Sequence, residues 1–303
     1  MSNYVRKIMF DISDTLASAF NKLSAATAKR YRHARGDIDG AMTIYLDADN
    51  RFVPSIAERA MGDVRFRRTF LLDKEGWNET HKVISNSGMS IYKPASGEYL
   101  SNSMSIYFPQ KSGEYAKREV AAYRVNELLG FDLVPPTAMV DGPKGLGSNQ
   151  KFVPSRRAAD TDKYDDLQMQ QMAVLDYIIG NLDRLTRNYL VAPNGDLVAI
   201  DHGNSFPEKR GIGIRSVFVD KLRDQALDTK VLEHVDAVDP MLLRAALRDL
   251  ELSDKAIDGA VERLNEIKSQ RKITGNNWLM PKIEEGYLFK KPGDNYPISY
   301  KKF

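Results

Sequence analysis

Cysteine is absent from the 303 residues. A disulfide framework, a thiolate zinc site, an iron–sulfur cluster and a cysteine nucleophile are excluded with it. Histidine is scarce. His33, His81, His202 and His234 form no short-range pair, so metal binding through an HExxH-type spacing is excluded too. No run of 18 apolar residues occurs, and no membrane span is expected. Asp11 and Asp14 interrupt the N-terminus before a signal-peptide core can form, which points to the cytoplasm. Charge of one sign is also missing: 44 Lys+Arg against 41 Asp+Glu leave a net +3, too little to make nucleic acid the default partner. There is no Walker A loop, no GxGxxG and no GxSxG.

At about 150 residues per domain, the length suits two domains or two lobes around a real core. Residues 14–34 read as a helix, with Leu16, Phe20, Leu23 and Ala26 at helical spacing. Residues 41–50 read as a strand running into a turn. From 80 to 115 the chain is strand-like, and residues 85–99 are echoed by 101–115, a local duplication rather than a solenoid. Residues 116–129 predict a helix with Ala121, Val125, Leu128 and Leu129 as its stripe and Gly130 as its stop. Extended chain is expected at 134–137 before the prolines, a loop at 141–148, a short strand at 150–153 and a polar connection at 154–162. Helices are expected at 165–180, about 216–227, 239–249 and 253–269, interrupted by a hairpin over 189–200 that turns at Asn194 and Gly195. The tail after Lys272 has no clear period.

Chemistry concentrates in one stretch. Asp183 and Asn188 are five residues apart, and Asp201 lies thirteen further on, across the hairpin. Protein kinases use this grammar: a catalytic-loop Asp, an Asn five residues later, then a metal-binding Asp. Phosphoryl transfer needs a carboxylate to orient the acceptor hydroxyl and hard oxygen ligands to hold magnesium on the phosphates. A helix ending in a loop, followed by a hairpin that folds back, brings the three side chains together. The bland alternative is three polar residues that cap local backbone.

Around these residues the sequence resembles the phosphatidylinositol 3-/4-kinase-like catalytic superfamily, especially its bacterial and phage-type members, with HipA-type kinases as neighbours. The resemblance rests on Ile91-Tyr92-Lys93-Pro94, Arg118-Glu119-Val120-Ala121-Ala122-Tyr123-Arg124, Leu133-Val134-Pro135-Pro136-Thr137, Gly147-Ser148-Asn149-Gln150, Asp176-Tyr177-Ile178-Ile179-Gly180-Asn181-Leu182-Asp183 and Ile200-Asp201-His202-Gly203. It spans about residues 75–210 in motif order. It implies an α+β, two-lobed protein-kinase-like fold: an N-terminal helical extension over 1–60, a sheet-rich N-lobe over 61–153 and a helical C-lobe with its tail over 154–303.

The resemblance also distributes roles. Asp183 would orient the acceptor hydroxyl, and Asn188 and Asp201 would hold Mg2+. Lys93 would grip the nucleotide phosphates, with Ile91 on the same strand face roofing the adenine. Glu119 would pair with Lys93, yet on a helical wheel it falls opposite the apolar stripe, where an ordinary glutamate faces solvent. Its role therefore requires a helix engaged on both faces. Ser87 and Gly88 sit where a phosphate-covering turn would be, and Gln150 and Phe152 lie on the segment whose backbone would read adenine. The pattern departs from the superfamily at Leu185, where histidine is usual. Leu185 cannot donate a hydrogen bond, so Arg184 or Arg187 compensates or catalysis is weakened.

The expected function is ATP- and Mg2+-dependent phosphoryl transfer, with a protein Ser/Thr hydroxyl preferred over a lipid because no membrane-binding amphipathic helix or polybasic run is evident. A pseudokinase serving as a nucleotide-binding interaction module, a phosphoinositide kinase and a nucleotidyl-transferring enzyme remain as alternatives. The acceptor and the oligomeric state are not legible in the sequence.

Overall fold

The computed structural model describes residues 51–73, 78–159, 162–211, 213–275 and 278. The helix expected at 14–34 and the strand expected at 41–50 lie outside the described residues, as does most of the tail. The first described helix, α1 (Ile56–Gly62), is capped by Ser55, whose hydroxyl accepts the Glu58 N–H. Five strands follow: β1 (Phe66–Asp73), β2 (Thr80–Ser85), β3 (Gly88–Pro94), β4 (Thr137–Gly142) and β5 (Gly145–Lys151). They form an antiparallel sheet in the order β1-β2-β3-β5-β4. Helix α1 packs on β4, and Asn149 donates from within the sheet to the Met61 carbonyl (2.9 Å). Val83, Tyr92 and Val140 make a small core on this side of the sheet.

Helix α2 (Glu114–Leu128) connects the sheet to the helical half. Gly113, at φ 92, offers no capping side chain, and Glu98 replaces it from the preceding loop by accepting the Gly113 and Ala116 N–H groups (2.7 and 2.9 Å). The main core joins Val120, Ala121 and Val125 of α2 to α3 (Asp166–Ile179), with its run Met172–Leu175 and Tyr177–Ile179, and to three later helices. These are α5 (Thr229–Ala237), α6 (Pro240–Asp249) and α7 (Asp254–Gln270). A short α4 (Val217–Leu222) precedes them. A three-stranded sheet, β6 (Arg156–Arg157), β7 (Tyr189–Val191) and β8 (Leu197–Ala199), is embedded in this half.

The layout is the expected α+β arrangement, sheet-rich first and helical second. Several local readings change. Only the first copy of the duplication is a strand; the second holds a 3-10 turn, Asn102–Ile106. The loop expected at 141–148 is a β4–β5 hairpin that pairs Gly142 with Gly145, and β5 ends at Lys151, before Phe152. Arg156 and Arg157, expected in a plain connection, pair with Val191 and Leu190. Helices α1 and α5 and strand β1 have no counterpart in the sequence reading, and the helix expected over 216–227 is limited to α4.

Candidate active site

Antiparallel pairing places Ile91 opposite Gln150 and Lys93 opposite Ser148, so these four share one face of the sheet. The β3–β5 approach is close. A Cβ on Gly147 would lie 2.3 Å from the Lys93 carbonyl oxygen and 2.8 Å from the Pro94 Cα. Lys93 Nζ extends from this face to Glu119 Oε1 at 2.5 Å and Asp201 Oδ1 at 2.9 Å. Burial opposes the lysine's charge, but Asp201 and Glu119 outweigh it and raise the ammonium's pKa well above its ordinary value.

Glu119 is buried rather than solvent-facing, because α2 is covered on both faces: every residue from Arg118 to Asn126 is buried. Its second oxygen accepts the His202 N–H at 2.9 Å. One residue earlier, the fully buried Arg118 donates to the Ser205 carbonyl at 3.0 Å, pairs with Glu114 and lies over the Phe108 ring at 3.9 Å. Consecutive residues of α2 thus dock at two points on the chain that follows β8. Asp201 starts that chain with φ 60, a left-handed conformation that costs a non-glycine residue of order 1–3 kcal/mol. At Gly203 an added Cβ would meet the Tyr115 ring at 2.9 Å.

Helix α3 ends at Gly180, φ 64, where a side chain would strike Pro207 at 2.6 Å. The loop it releases is held by a buried network centred on Asp176. That carboxylate accepts from Arg184 Nε (3.1 Å), Asn181 Nδ2 (3.1 Å) and Ser216 Oγ (2.7 Å). Asn181 in turn accepts the Asp183 N–H at 2.9 Å. Asp183 faces Asn188, whose amide donates to the Asp183 backbone oxygen (2.5 Å) and to Oδ2 (3.1 Å). Arg187 Nη2 contacts both Asp183 carboxylate oxygens at 2.8 and 2.6 Å. Burial raises the Asp183 pKa, and Asp201 adds to this against the pull of Arg187 and Asn188.

The structure therefore brings Lys93, Glu119 and Asp201 into contact, and Asp183 into contact with Asn188 and within electrostatic range of Asp201. Arg184 is corrected. Its side chain is fully buried and bridges Asp176 to the Asn188 and Ile200 carbonyl oxygens, so it braces the loop and cannot meet a substrate. Phe152 donates its N–H to the Met89 carbonyl (3.1 Å), and its ring lies under Lys82 Nζ. Gln150 stays on the sheet face that carries Lys93 and donates to Thr137 Oγ1 at 2.9 Å. Ser87 and Gly88 lie at the far end of β3, about 16 Å from Lys93 by strand rise. The Ser87 N–H there donates to Ser85 Oγ.

The sequence reading assigns no role to Asp176, Arg118 or Glu98. Asp176 carried a signal, a lone carboxylate within an otherwise apolar helical run, because an unpaired buried charge is too costly to be incidental.

Residues 137–214 match the family described as phosphatidylinositol 3- and 4-kinase. That stretch holds Asp183, Asn188 and Asp201, while Lys93 and Glu119 precede it. The chain is 29% identical over 185 residues to Phosphatidylinositol 4-kinase gamma 4 of Oryza sativa subsp. japonica, covering 53% of this chain and 32% of the relative. It is 30% identical over 152 residues to Protein Rv2133c of Mycobacterium tuberculosis, covering 37% and 52%. It thus spans from a third to a half of the curated relatives it matches. Among solved structures, the Golgi casein kinase aligns with TM-score 0.44 at 14% identity, covering 70% of this chain and 72% of that one. In sequence, the stretch that holds Asp183, Asn188 and Asp201 is similar to the phosphatidylinositol 3- and 4-kinases.

Proposed function

We propose that this chain transfers the γ-phosphoryl group of ATP to an alcohol, with Mg2+ as the metal and a protein serine or threonine as the acceptor. The meeting of Lys93 with Glu119 and Asp201, the latter 108 residues away in sequence, carries this reading. Structural ion pairs seldom gather an ammonium and two carboxylates where one carboxylate sits in a strained backbone and stays 45% exposed.

In this reading Lys93 holds the nucleotide phosphates, and Glu119 keeps the ammonium aimed through its second anchor on His202. Ile91 and Gln150 form the sheet face on which the base rests. Asn188 and Asp201 suit magnesium, which takes few protein oxygens and keeps water and phosphate ligands. The Asn188 amide nitrogen is engaged by Asp183, which leaves its oxygen for a cation. Bound magnesium would neutralise charge on the phosphates. Asp183, with its pKa raised by burial, orients the acceptor hydroxyl and accepts its proton.

The second reading places the hydroxyl on an inositol lipid, and the rice relative, named a phosphatidylinositol 4-kinase, favours it. One experiment separates the readings. The protein is incubated with γ- or α-labelled ATP, Mg2+ and either host lysate or phosphatidylinositol vesicles, beside Asp183→Ala and Asp201→Ala. γ-Label in protein, lost in both variants, supports the proposal; γ-label in lipid supports the second reading. α-Label indicates nucleotidyl transfer. An ATP-induced thermal shift without label marks a pseudokinase, and neither label nor shift refutes the nucleotide site.

A further inference from the structure

We infer that Arg187 supplies the positive charge that stabilises the transferring phosphoryl group, in place of the donor that Leu185 lacks; the inference rests on the phosphotransferase reading above. During transfer the bond from γ-phosphorus to the β–γ bridging oxygen breaks and a bond to the acceptor oxygen forms. The hydroxyl proton passes to the Asp183 carboxylate, and negative charge is spread over the phosphoryl oxygens, where a cation acts most strongly.

The catalytic loop from Asn181 to Asn188 contains two cations, Arg184 and Arg187. Arg184 is sealed inside. Its Nε is bound to Asp176, its Nη1 to two backbone carbonyls, and its Nη2 is buried as well. Swinging it toward a substrate would break all these bonds and leave Asp176 uncompensated.

Arg187 has the opposite character. Its side chain is 60% exposed, and it lies against the carboxylate that faces the acceptor. Only Nη2 contacts Asp183, so Nε and Nη1 keep their donors for a second anion. The adjoining Asn188 fixes the backbone at this point through its bond to the Asp183 carbonyl. An arginine at this place already lies against the carboxylate that accepts the hydroxyl proton, with its remaining donors exposed.

Arg187→Ala, Arg187→Lys and the wild type are compared in γ-phosphoryl transfer, and in calorimetric binding of ADP–Mg2+ with and without aluminium fluoride. Arg187→Ala should lower kcat by about 10²–10³-fold, the cost of deleting one preorganised transition-state donor, with KM for ATP and ADP affinity changed less than about threefold. Arg187→Lys should retain part of the rate, and added guanidinium should partly restore Arg187→Ala. Binding of the aluminium fluoride complex should weaken at least about tenfold. A kcat within about twofold of wild type overturns the inference, as does an equal loss of ADP affinity with and without fluoride. A wild type that transfers no label overturns the phosphotransferase reading and this inference together. A wild type that transfers label no faster than Arg187→Ala overturns the inference alone.

Discussion

Lys93 and Glu119 are separated by 26 residues in sequence and by 2.5 Å between Nζ and Oε1. Glu119 is 5% exposed and the lysine 21%, so neither charge is well solvated without the other. Removing one partner of such a buried pair typically costs about 3–5 kcal/mol. Lys93→Met should lower stability by that order in urea denaturation, and Glu119→Leu by less, because Lys93 keeps Asp201. The double variant should lose clearly less than the sum, because it leaves no unpaired charge on α2. Lys93→Met should also abolish the ATP-induced thermal shift.

Acid should act through the same pair. Burial pushes the Glu119 carboxyl up, but Lys93 and His202 outweigh it and hold its pKa well below the ordinary 4.5. A carboxylate depressed in the folded state contributes stability that is complete above its unfolded pKa and is lost as pH falls toward the folded one. Chemical denaturation at a series of pH values should show stability falling from about pH 5 to pH 2. Glu119→Gln should flatten that limb while lowering stability at neutral pH.

Arg184 should behave as a structural brace. Arg184→Met leaves Asp176 buried with only Asn181 and Ser216 as hydrogen-bond partners and frees two backbone carbonyls, a loss of about 3–5 kcal/mol. The expected result is a lower Tm, with any remaining folded protein binding ATP near normally at low temperature. Unchanged Tm with lost transfer would return Arg184 to a direct role.

Gly147→Ala tests the β3–β5 contact. The added methyl would meet rigid backbone at Lys93 and Pro94, so the strands must part. Overpacking of this kind costs about 1–3 kcal/mol. Nucleotide affinity, read by calorimetry, should fall with stability because the displaced strand carries Lys93. The same substitution at Gly195, where nothing lies within 4 Å, crowds no neighbour and tests only the strain of its φ of 88.

The duplication shows where local sequence stops deciding. Met89-Ser90-Ile91-Tyr92 and Met104-Ser105-Ile106-Tyr107 are identical, yet the first is in β3 and the second is in a 3-10 turn closing at Tyr107. The first copy has β2 and β5 as hydrogen-bonding neighbours. The second follows Ser101, whose hydroxyl accepts the Ser103 N–H, and leads into Phe108, which packs beneath Arg118. Available partners outweigh the intrinsic preference of four residues.

The sequence by itself determined the order of sheet and helices, the helices that carry their own stripe and caps, and the spacing of Asp183, Asn188 and Asp201. Those depend on contacts a few residues long and on residue types whose chemistry is their own. Only the tertiary structure decided that Glu119 turns inward, that Arg184 is a buried brace while Arg187 is exposed beside Asp183, and that Phe152 has its N–H engaged. Each of these depends on what lies across the fold: a second covered face for α2, the Asp176 carboxylate inside α3, and the Met89 carbonyl. Burial and pairing set the worth of a charge, and both are properties of neighbours that the chain supplies only when it has folded.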